Sequence, residues 1–225
     1  MYLGKKNVVD MNNIINEFDK NKFVIVSDEI RNCFLEIRYY SSFNFVGTRV
    51  DGYVDPVAIL TKEACNALKK ANEEFNKMGY LIKIYDCYRP QMAVDHFVRW
   101  SEDFDDVKTK KYFYPDLTKK QCFEQDFISK NSNHSRGSTI DLTLVSMKTG
   151  MDIDMGGPFD YFGDLSHADY KGISEEQYNN RMILRSVMIK NGFRPFNGEW
   201  WHFTLIDEPY PNTYFNFPNK NYKDE

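Results

Sequence analysis

Nowhere in its 225 residues does the chain gather the ~18 consecutive apolar residues that a membrane-spanning helix needs. It has no block of Lys and Arg, and its formal net charge is −4. Neither nucleic acid nor an anionic membrane surface has an electrostatic footprint to grip. Cysteine is scarce: Cys33, Cys65, Cys87 and Cys122 stand far apart and form no CxxC pair. They do not read as a disulfide framework and are expected to be reduced, mostly buried thiols of a cytoplasmic protein. The start, Met1-Tyr2-Leu3-Gly4-Lys5-Lys6, runs into polar, Asn-rich sequence without an apolar segment, so no signal peptide is expected. Repeats, low-complexity tracts and dividing linkers are absent too, which predicts one domain over residues 1–225.

Apolar side chains are not lacking. They make up 42% of the chain, enough for a core that needs no disulfide or metal merely to fold. The first ~20 residues read as a polar lead-in. Residues 23–26 and 33–40 read as strands. In the second, Cys33, Leu35, Ile37 and Tyr39 alternate with Phe34, Glu36, Arg38 and Tyr40. Both faces carry apolar groups, so that strand is expected to be covered on both sides. Residues 41–56 read as a long loop. Residues 61–78 read as a helix, since Ala64, Leu68, Ala71 and Phe75 recur at helical spacing and Gly79 stands at the C-terminal cap.

Residues 80–86 alternate as a strand and lead into Tyr88-Arg89-Pro90. Pro90 can open a helix over residues 91–100, because the first helical position needs no amide donor. Thr118 to Gln121 and Ser174 to Gln177 are capping boxes, whose helices are expected to end near residues 130 and 191. Residues 138–145 and 203–205 read as strands, residues 149–168 as a loop, and the Pro- and Asn-rich tail from Asp207 as a surface wrap. Helices and strands mix without steady alternation. That predicts an α+β fold around an antiparallel sheet flanked by helices, not a doubly wound one.

The chemistry-bearing residues fall into two clusters. In Ser132-Asn133-His134-Ser135-Arg136-Gly137-Ser138-Thr139-Ile140-Asp141, an imidazole and a carboxylate stand on either side of a glycine turn. Ile140, Leu142 and Leu144 alternate with Thr139, Asp141 and Thr143, so Asp141 looks away from the apolar face. The second cluster is Glu199-Trp200-Trp201-His202. Together they suit a catalytic zinc, with His134, Asp141 and His202 as ligands, one position open for water, and Glu199 as a base for that water. On a regular strand, positions i and i+3 face opposite ways. Glu199 and His202 therefore converge only if the chain bends near Gly198, which glycine permits. Each cluster alone has an ordinary alternative. Asp141 can serve a loop amide, and Trp200 and Trp201 can be core aromatics. His96 reads as an ordinary helix residue and His167 as a loop residue able to line a site.

The joint pattern, Ser-x-His-x-x-Gly-x-x-x-Asp followed by Glu-x-Trp-His, closely resembles the zinc D-alanyl-D-alanine dipeptidases. These are the vancomycin-resistance type of the wider D,D-peptidase and hedgehog-like superfamily. Asn44-Phe45-Val46-Gly47, Tyr88-Arg89-Pro90, His134-Ser135-Arg136-Gly137 and Phe159-Asp160 add to the match, which runs from Asn44 to Leu205. The resemblance implies a zinc site in a cleft, with one zinc per chain on His134, Asp141 and His202 and Glu199 as catalytic base. It implies that Arg89 stabilises the transition state, as a fixed guanidinium near the metal can hold a developing oxyanion. Without the resemblance, Arg89 would read as a structural ion pair. Ser132 and Asp160 match positions near bound substrate, although Asp160 can equally brace its loop. Thr139 departs from the family, which commonly has Ala there. That bears on substrate fit, not on metal binding.

The implied function is hydrolysis of D-Ala-D-Ala or a similar dipeptide by a metal-activated water. Two alternatives stay open: a D,D- or L,D-carboxypeptidase trimming peptidoglycan stem peptides, and a zinc-dependent binding module without catalysis. Free dipeptides are made in the cytoplasm and mature stems lie outside, so the missing leader favours the dipeptidase. Glu199 and Arg89 together argue against pure binding, which needs neither a base nor an oxyanion partner. The expected partner is a small dipeptide, with no nucleic acid and no membrane.

Overall fold

The computed structural model describes residues 14–125 and 127–223. Most of the polar lead-in, and with it the segment on which a signal peptide is discounted, lies outside these. The chain runs through strands β1 (Ile14–Ile15) and β2 (Phe23–Ile25), helical turn α1 (Val26–Glu29), β3 (Phe34–Leu35), β4 (Ile59–Thr61) and helix α2 (Lys62–Lys77). Next come β5 (Tyr80–Asp86), α3 (Gln91–Glu102), α4 (Lys110–Phe113), α5 (Lys119–Glu124) and β6 (Thr139–Ser146). Helix α6 (Glu175–Lys190) and strands β7 (Phe193–Pro195), β8 (His202–Leu205) and β9 (Tyr214–Phe215) complete it. The main sheet has the order β3-β5-β6-β8-β7, and every pairing is antiparallel except that of β3 with β5. This is an α+β fold, as the irregular mixture of elements predicts. No helix among the described residues is long and apolar enough to cross a membrane.

Local signals account for the main helices. The Thr61 side chain accepts a hydrogen bond from the Ala64 N–H at 3.3 Å, which satisfies one of the amides that a helix start leaves unpaired. Ala64, Leu68, Ala71 and Phe75 are fully buried, and α2 packs against β5 and α6. Gly79, at φ +87°, lets the chain leave α2 in the left-handed region. Both capping boxes form, and α6 ends where its sequence pattern stops.

Three expectations are corrected. Only Phe34 and Leu35 of residues 33–40 pair in the sheet, and they do so at its edge, where Phe34 is 46% exposed. Beyond Ile37 the chain coils into a 3₁₀ turn, Arg38–Tyr40, that turns Tyr39 into the interior. Helix α5 stops at Glu124, short of residue 130. Phe127 and Ile128 then both pack inward, Phe127 stacking on Phe162 at 5.1 Å. A continuing helix would set two such neighbours about 100° apart. The tail does more than wrap the surface. Phe215 and Phe217 are buried with Phe23, Ile59 and Tyr88 in a second small core, at roughly 1.5–3 kcal/mol per buried ring. Tyr88, next to Arg89, stacks on Phe217 at 4.1 Å and donates to its carbonyl at 2.9 Å.

Candidate active site

Strand register sets the floor of the site. Asp86 of β5 lies opposite Asp141 of β6, and Asp141 lies opposite His202 of β8. The β5–β6 register shifts between Ile84 and Asp86. Without that extra residue Asp86 would stand opposite Ile140, on the wrong side of the pleat. His134 comes from a 3₁₀ turn, Asn133–Arg136, just before β6, and the Ser132 hydroxyl accepts the His134 N–H at 3.3 Å. Gly137, at φ +82°, swings the chain from that turn into β6, and any Cβ there would strike the Phe23 ring.

Glu199 and His202 converge through a turn. The Glu199 N–H bonds to the Phe196 carbonyl at 3.4 Å, and the His202 N–H to the Glu199 carbonyl at 3.3 Å. Glu199 Oε2 then lies 3.4 Å from His202 Nδ1. The bend falls at Gly198, as the spacing requires. Gly198 is not among the glycines with positive φ, so the turn does not use glycine's left-handed freedom.

All seven nominated residues, His134, Asp141, His202, Glu199, Arg89, Ser132 and Asp160, line one cavity of about 210 Å³. His134 Nε2 lies 3.2 Å from Asp141 Oδ2, His202 Nδ1 lies 3.1 Å from Asp141 Oδ1, and the two ring nitrogens are 3.3 Å apart. The three ligand atoms fall within 4.8 Å of one another. His96 and His167 do not line the cavity. His96 Nδ1 accepts the Asp51 N–H at 3.1 Å instead. Thr139 is fully buried and shares a 2.9 Å hydrogen bond with Thr204, outside the cavity lining.

The donor set fits a divalent ion on its own chemistry. His134 Nδ1 lies 2.6 Å from the Cys87 carbonyl, and only an N–H can meet a carbonyl oxygen at that distance. In the neutral ring this leaves Nε2 as a lone pair facing a carboxylate oxygen. Two acceptors facing each other need a proton or a cation between them. Asp141 Oδ1 is buried without a well-aligned hydrogen bond. A nitrogen–nitrogen–carboxylate set with its second ring nitrogen anchored to a carbonyl matches the pattern of zinc ligation.

Burial and neighbouring charge work against each other here. Burial would raise Asp141, but His134 and His202 beside it hold its carboxyl well below the usual range. Burial pushes Glu199 up, and it pushes Asp160 well up, with the Asp141 charge adding to both. Arg89 is the site's fixed cation. Its Nε donates to Asp86 Oδ2 at 2.9 Å, and its guanidinium lies over the rings of Tyr39 and Phe97 at 4.8 and 5.1 Å. The ion pair and the place in the cleft are therefore both real features of Arg89.

Sequence reasoning missed two supporting residues. The buried Tyr39 hydroxyl donates to both Asp160 oxygens, at 3.1 and 3.0 Å. Asp160, at φ +62°, is the one non-glycine with positive φ among the described residues, a conformation that costs of order 1–3 kcal/mol and collects at functional sites. Asp86 is fully buried, accepts from Tyr53 at 2.6 Å as well as from Arg89, and lies 3.6 Å from His134 Nδ1. The spacing Asp86-x-x-Arg89 was a readable signal for that pair.

Two imidazoles and a carboxylate converging at a cleft, flanked by a second carboxylate and a guanidinium, match the donor pattern of mononuclear metallopeptidase sites. Residues 19–220 match the family model described as D-Ala-D-Ala dipeptidase, and the chain belongs to that family. It is 40% identical over 198 residues to the D-alanyl-D-alanine dipeptidase of Enterococcus faecalis, covering 88% of this chain and 98% of that protein. Identity to the Streptomyces coelicolor D-alanyl-D-alanine dipeptidase is 39% over 196 residues, covering 87% and 97%. For that of Escherichia coli it is 33% over 174 residues, covering 76% and 78%. A vancomycin-resistance D,D-pentapeptidase solved with Zn(II) aligns at a TM-score of 0.41 and 13% identity, over 68% of this chain and 76% of that one. That likeness is too low to add to the assignment.

Proposed function

We propose that this protein is a zinc-dependent dipeptidase that hydrolyses D-Ala-D-Ala or a similar dipeptide, with one zinc held by His134, Asp141 and His202. The observation that carries the reading is the convergence of seven residues, from separate parts of the chain, on one cavity of about 210 Å³. When bound, zinc supplies Lewis-acid polarisation of the scissile carbonyl and of the attacking water.

Glu199 takes the proton from that water and hands it to the leaving amino nitrogen. Burial pushes the Glu199 carboxyl up in the metal-free cleft, and a dication on the neighbouring ligands would draw it back down and keep it ionised as a base. Arg89, fixed by Asp86 and two aromatic faces, donates to the oxyanion that develops on the carbonyl oxygen. Asp160 receives the substrate ammonium, and Tyr39 positions Asp160. Ser132 sits at the cavity wall and caps the turn that carries His134.

The small cavity supports a dipeptide over a longer stem peptide, which is the discriminating point against a carboxypeptidase. A cytoplasmic setting belongs to the same proposal, because free dipeptides are made there, and so does a place in cell-wall metabolism. Metal analysis of the purified protein, with hydrolysis assays on D- and L-dipeptides and on a pentapeptide stem, tests it. We expect about one zinc per chain and turnover confined to free dipeptides. Faster cleavage of the stem would transfer the protein to the carboxypeptidases, and zinc binding without hydrolysis of any substrate would make it a binding module.

A further inference from the structure

The two imidazoles of the site are held in different ways. His134 turns Nε2 toward Asp141, and its outer nitrogen, Nδ1, meets the Cys87 carbonyl at 2.6 Å. His202 turns Nδ1 toward the site, 3.1 Å from Asp141 Oδ1 and 3.3 Å from His134 Nε2. Its outer nitrogen is therefore Nε2, and no group among the described residues is hydrogen-bonded to that atom. An outer hydrogen bond is what ordinarily fixes the orientation of a ligand imidazole. His202 has none from the protein.

What His202 has is an aromatic neighbour. The Phe196 ring lies edge-to-face with the imidazole, the centroids 5.7 Å apart and the planes at 70°. Phe196 lines the same cavity and is 53% exposed, so burial alone does not hold its ring there. Its backbone is tied to the residues beside the metal set: the Phe196 N–H donates to the His202 carbonyl at 3.0 Å, and its carbonyl accepts the Glu199 N–H at 3.4 Å. Gly198 gives the ring its seat. A Cβ there would lie 2.8 Å from Phe196 Cε1 and 3.0 Å from Cζ, inside the roughly 3.5–4.0 Å at which carbon atoms pack. Gly198 does not use the left-handed backbone, so room for this ring is what the glycine supplies.

We propose that Phe196 is a positioning residue for His202: its ring, seated over Gly198, sets the plane of the imidazole in place of an outer hydrogen bond. Edge-to-face pairs have a preferred geometry, so the pair fixes the ring plane, and Asp141 then selects Nδ1 as the inner atom. A ligand held in its bound orientation before the ion arrives loses less freedom on binding. The proposal rests on the zinc reading above, with His202 as a ligand. Phe196 itself touches neither the ion nor the reacting atoms.

The test measures zinc affinity by competition with a chelator, and the His202 imidazole resonances and thermal midpoint of the metal-free protein. Phe196→Ala should weaken zinc about tenfold, the low end of the cost of losing an outer partner of a metal ligand. Its metal-free midpoint should fall only slightly, because the ring is half exposed. Phe196→Tyr keeps the ring and should bind zinc as the wild type does. Gly198→Ala should weaken zinc by pushing the ring off its seat, yet cost nothing further in the Phe196→Ala background, where no ring remains to be displaced. In metal-free Phe196→Ala the His202 resonances should shift or broaden as the imidazole samples more orientations. Wild-type affinity in Phe196→Ala would overturn the proposal, as would a Phe196→Tyr no better than Phe196→Ala, or a Gly198→Ala cost that persists in the double variant. Wild-type protein that takes up no zinc would refute the zinc reading instead. The metal-free resonances then decide for Phe196 alone, and identical His202 signals with and without its ring would overturn its role.

Discussion

N-acetylating the dipeptide should cost this enzyme roughly 10²–10³-fold in kcat/KM, and the cost should grow with pH. Asp160 is 6% exposed and its two oxygens share the single Tyr39 hydroxyl proton, so a substrate ammonium would form a buried, charge-assisted pair with it. Removing one partner of such a pair costs about 3–5 kcal/mol, and each 1.4 kcal/mol or so is tenfold. The full penalty is not expected, because burial already pushes the Asp160 carboxyl well up. Facing an acetyl group, Asp160 can take a proton instead of remaining an unpaired anion. That escape costs about 1.4 kcal/mol for each pH unit above the carboxyl's own pKa. At acid pH the proton is readily available and discrimination narrows. As pH rises through the raised pKa, discrimination widens toward its limit.

The assay is kcat/KM for D-Ala-D-Ala and its N-acetyl form across pH, in wild type and in Asp160→Asn. Asn tolerates the left-handed backbone that Asp160 adopts at φ +62°, so the variant isolates the charge. It should lose most of the preference and the part of its pH dependence that Asp160 supplies, leaving only the titration of the substrate's own amine. Equal rates for the two substrates in wild type would refute both the Asp160 assignment and the dipeptidase reading. A preference unchanged in Asp160→Asn would clear Asp160 and leave steric exclusion by the small cavity as the cause.

Glu199→Ala should keep zinc and fold but lose ~10²–10⁴-fold in kcat, and near-wild-type turnover with full metal content would mean another base. Arg89→Ala should lower kcat by ~10²–10³-fold if it acts as a single oxyanion donor, whereas a rise in KM alone would make it a ground-state binding group. Gly137→Ala combines a left-handed backbone with a Cβ driven into Phe23, so it should destabilise the fold by at least about 1–2 kcal/mol, read as a lowered thermal midpoint of the metal-free protein; an unchanged midpoint would refute the strain. Burial pushes Cys65 up to about 12 and Cys122 up to about 11, so both thiols should resist alkylation at pH 8 in the folded protein and react only on unfolding. Prompt labelling of either would contradict its burial.

The sequence showed most where its signals are local. Thr61, the capping boxes at Thr118 and Ser174, and the alternation through Ile140, Leu142 and Leu144 each act within a few residues, and each element they mark is present. Residues set by distant partners were hidden. Tyr39 was read into a strand because its neighbours alternate, yet the chain leaves the sheet edge at Ile37 and takes Tyr39 to Asp160, far along the chain. Asp86 meets Asp141 only because of a register shift that alternation cannot announce. The Pro- and Asn-rich tail from Asp207 reads as a surface wrap, yet Phe23 and Tyr88 bury its Phe215 and Phe217 rings. The site residues themselves were legible through the resemblance, since their order along the chain survives whatever fold joins them.

The charges of the cleft explain why such a site tolerates so much burial. Asp86, Asp141, Asp160 and Glu199 bring four carboxylates together, while Arg89 supplies one permanent cation. With both imidazoles neutral, three negative charges stay uncompensated in a place where desolvation is expensive. Without further cations, burial pushes Asp86, Asp160 and Glu199 up, and against burial the Asp141 carboxylate pushes His202 up toward its charged form. A divalent ion on the His134–Asp141–His202 set would cancel two of those charges, and one substrate ammonium beside Asp160 would cancel the third. The cleft's own carboxylates are therefore matched only when both are bound, while the dipeptide's terminal carboxylate needs a partner of its own. A dipeptide with a free amine brings the cation that Asp160 lacks, and a stem peptide or an acylated dipeptide, whose reacting end carries no ammonium, does not.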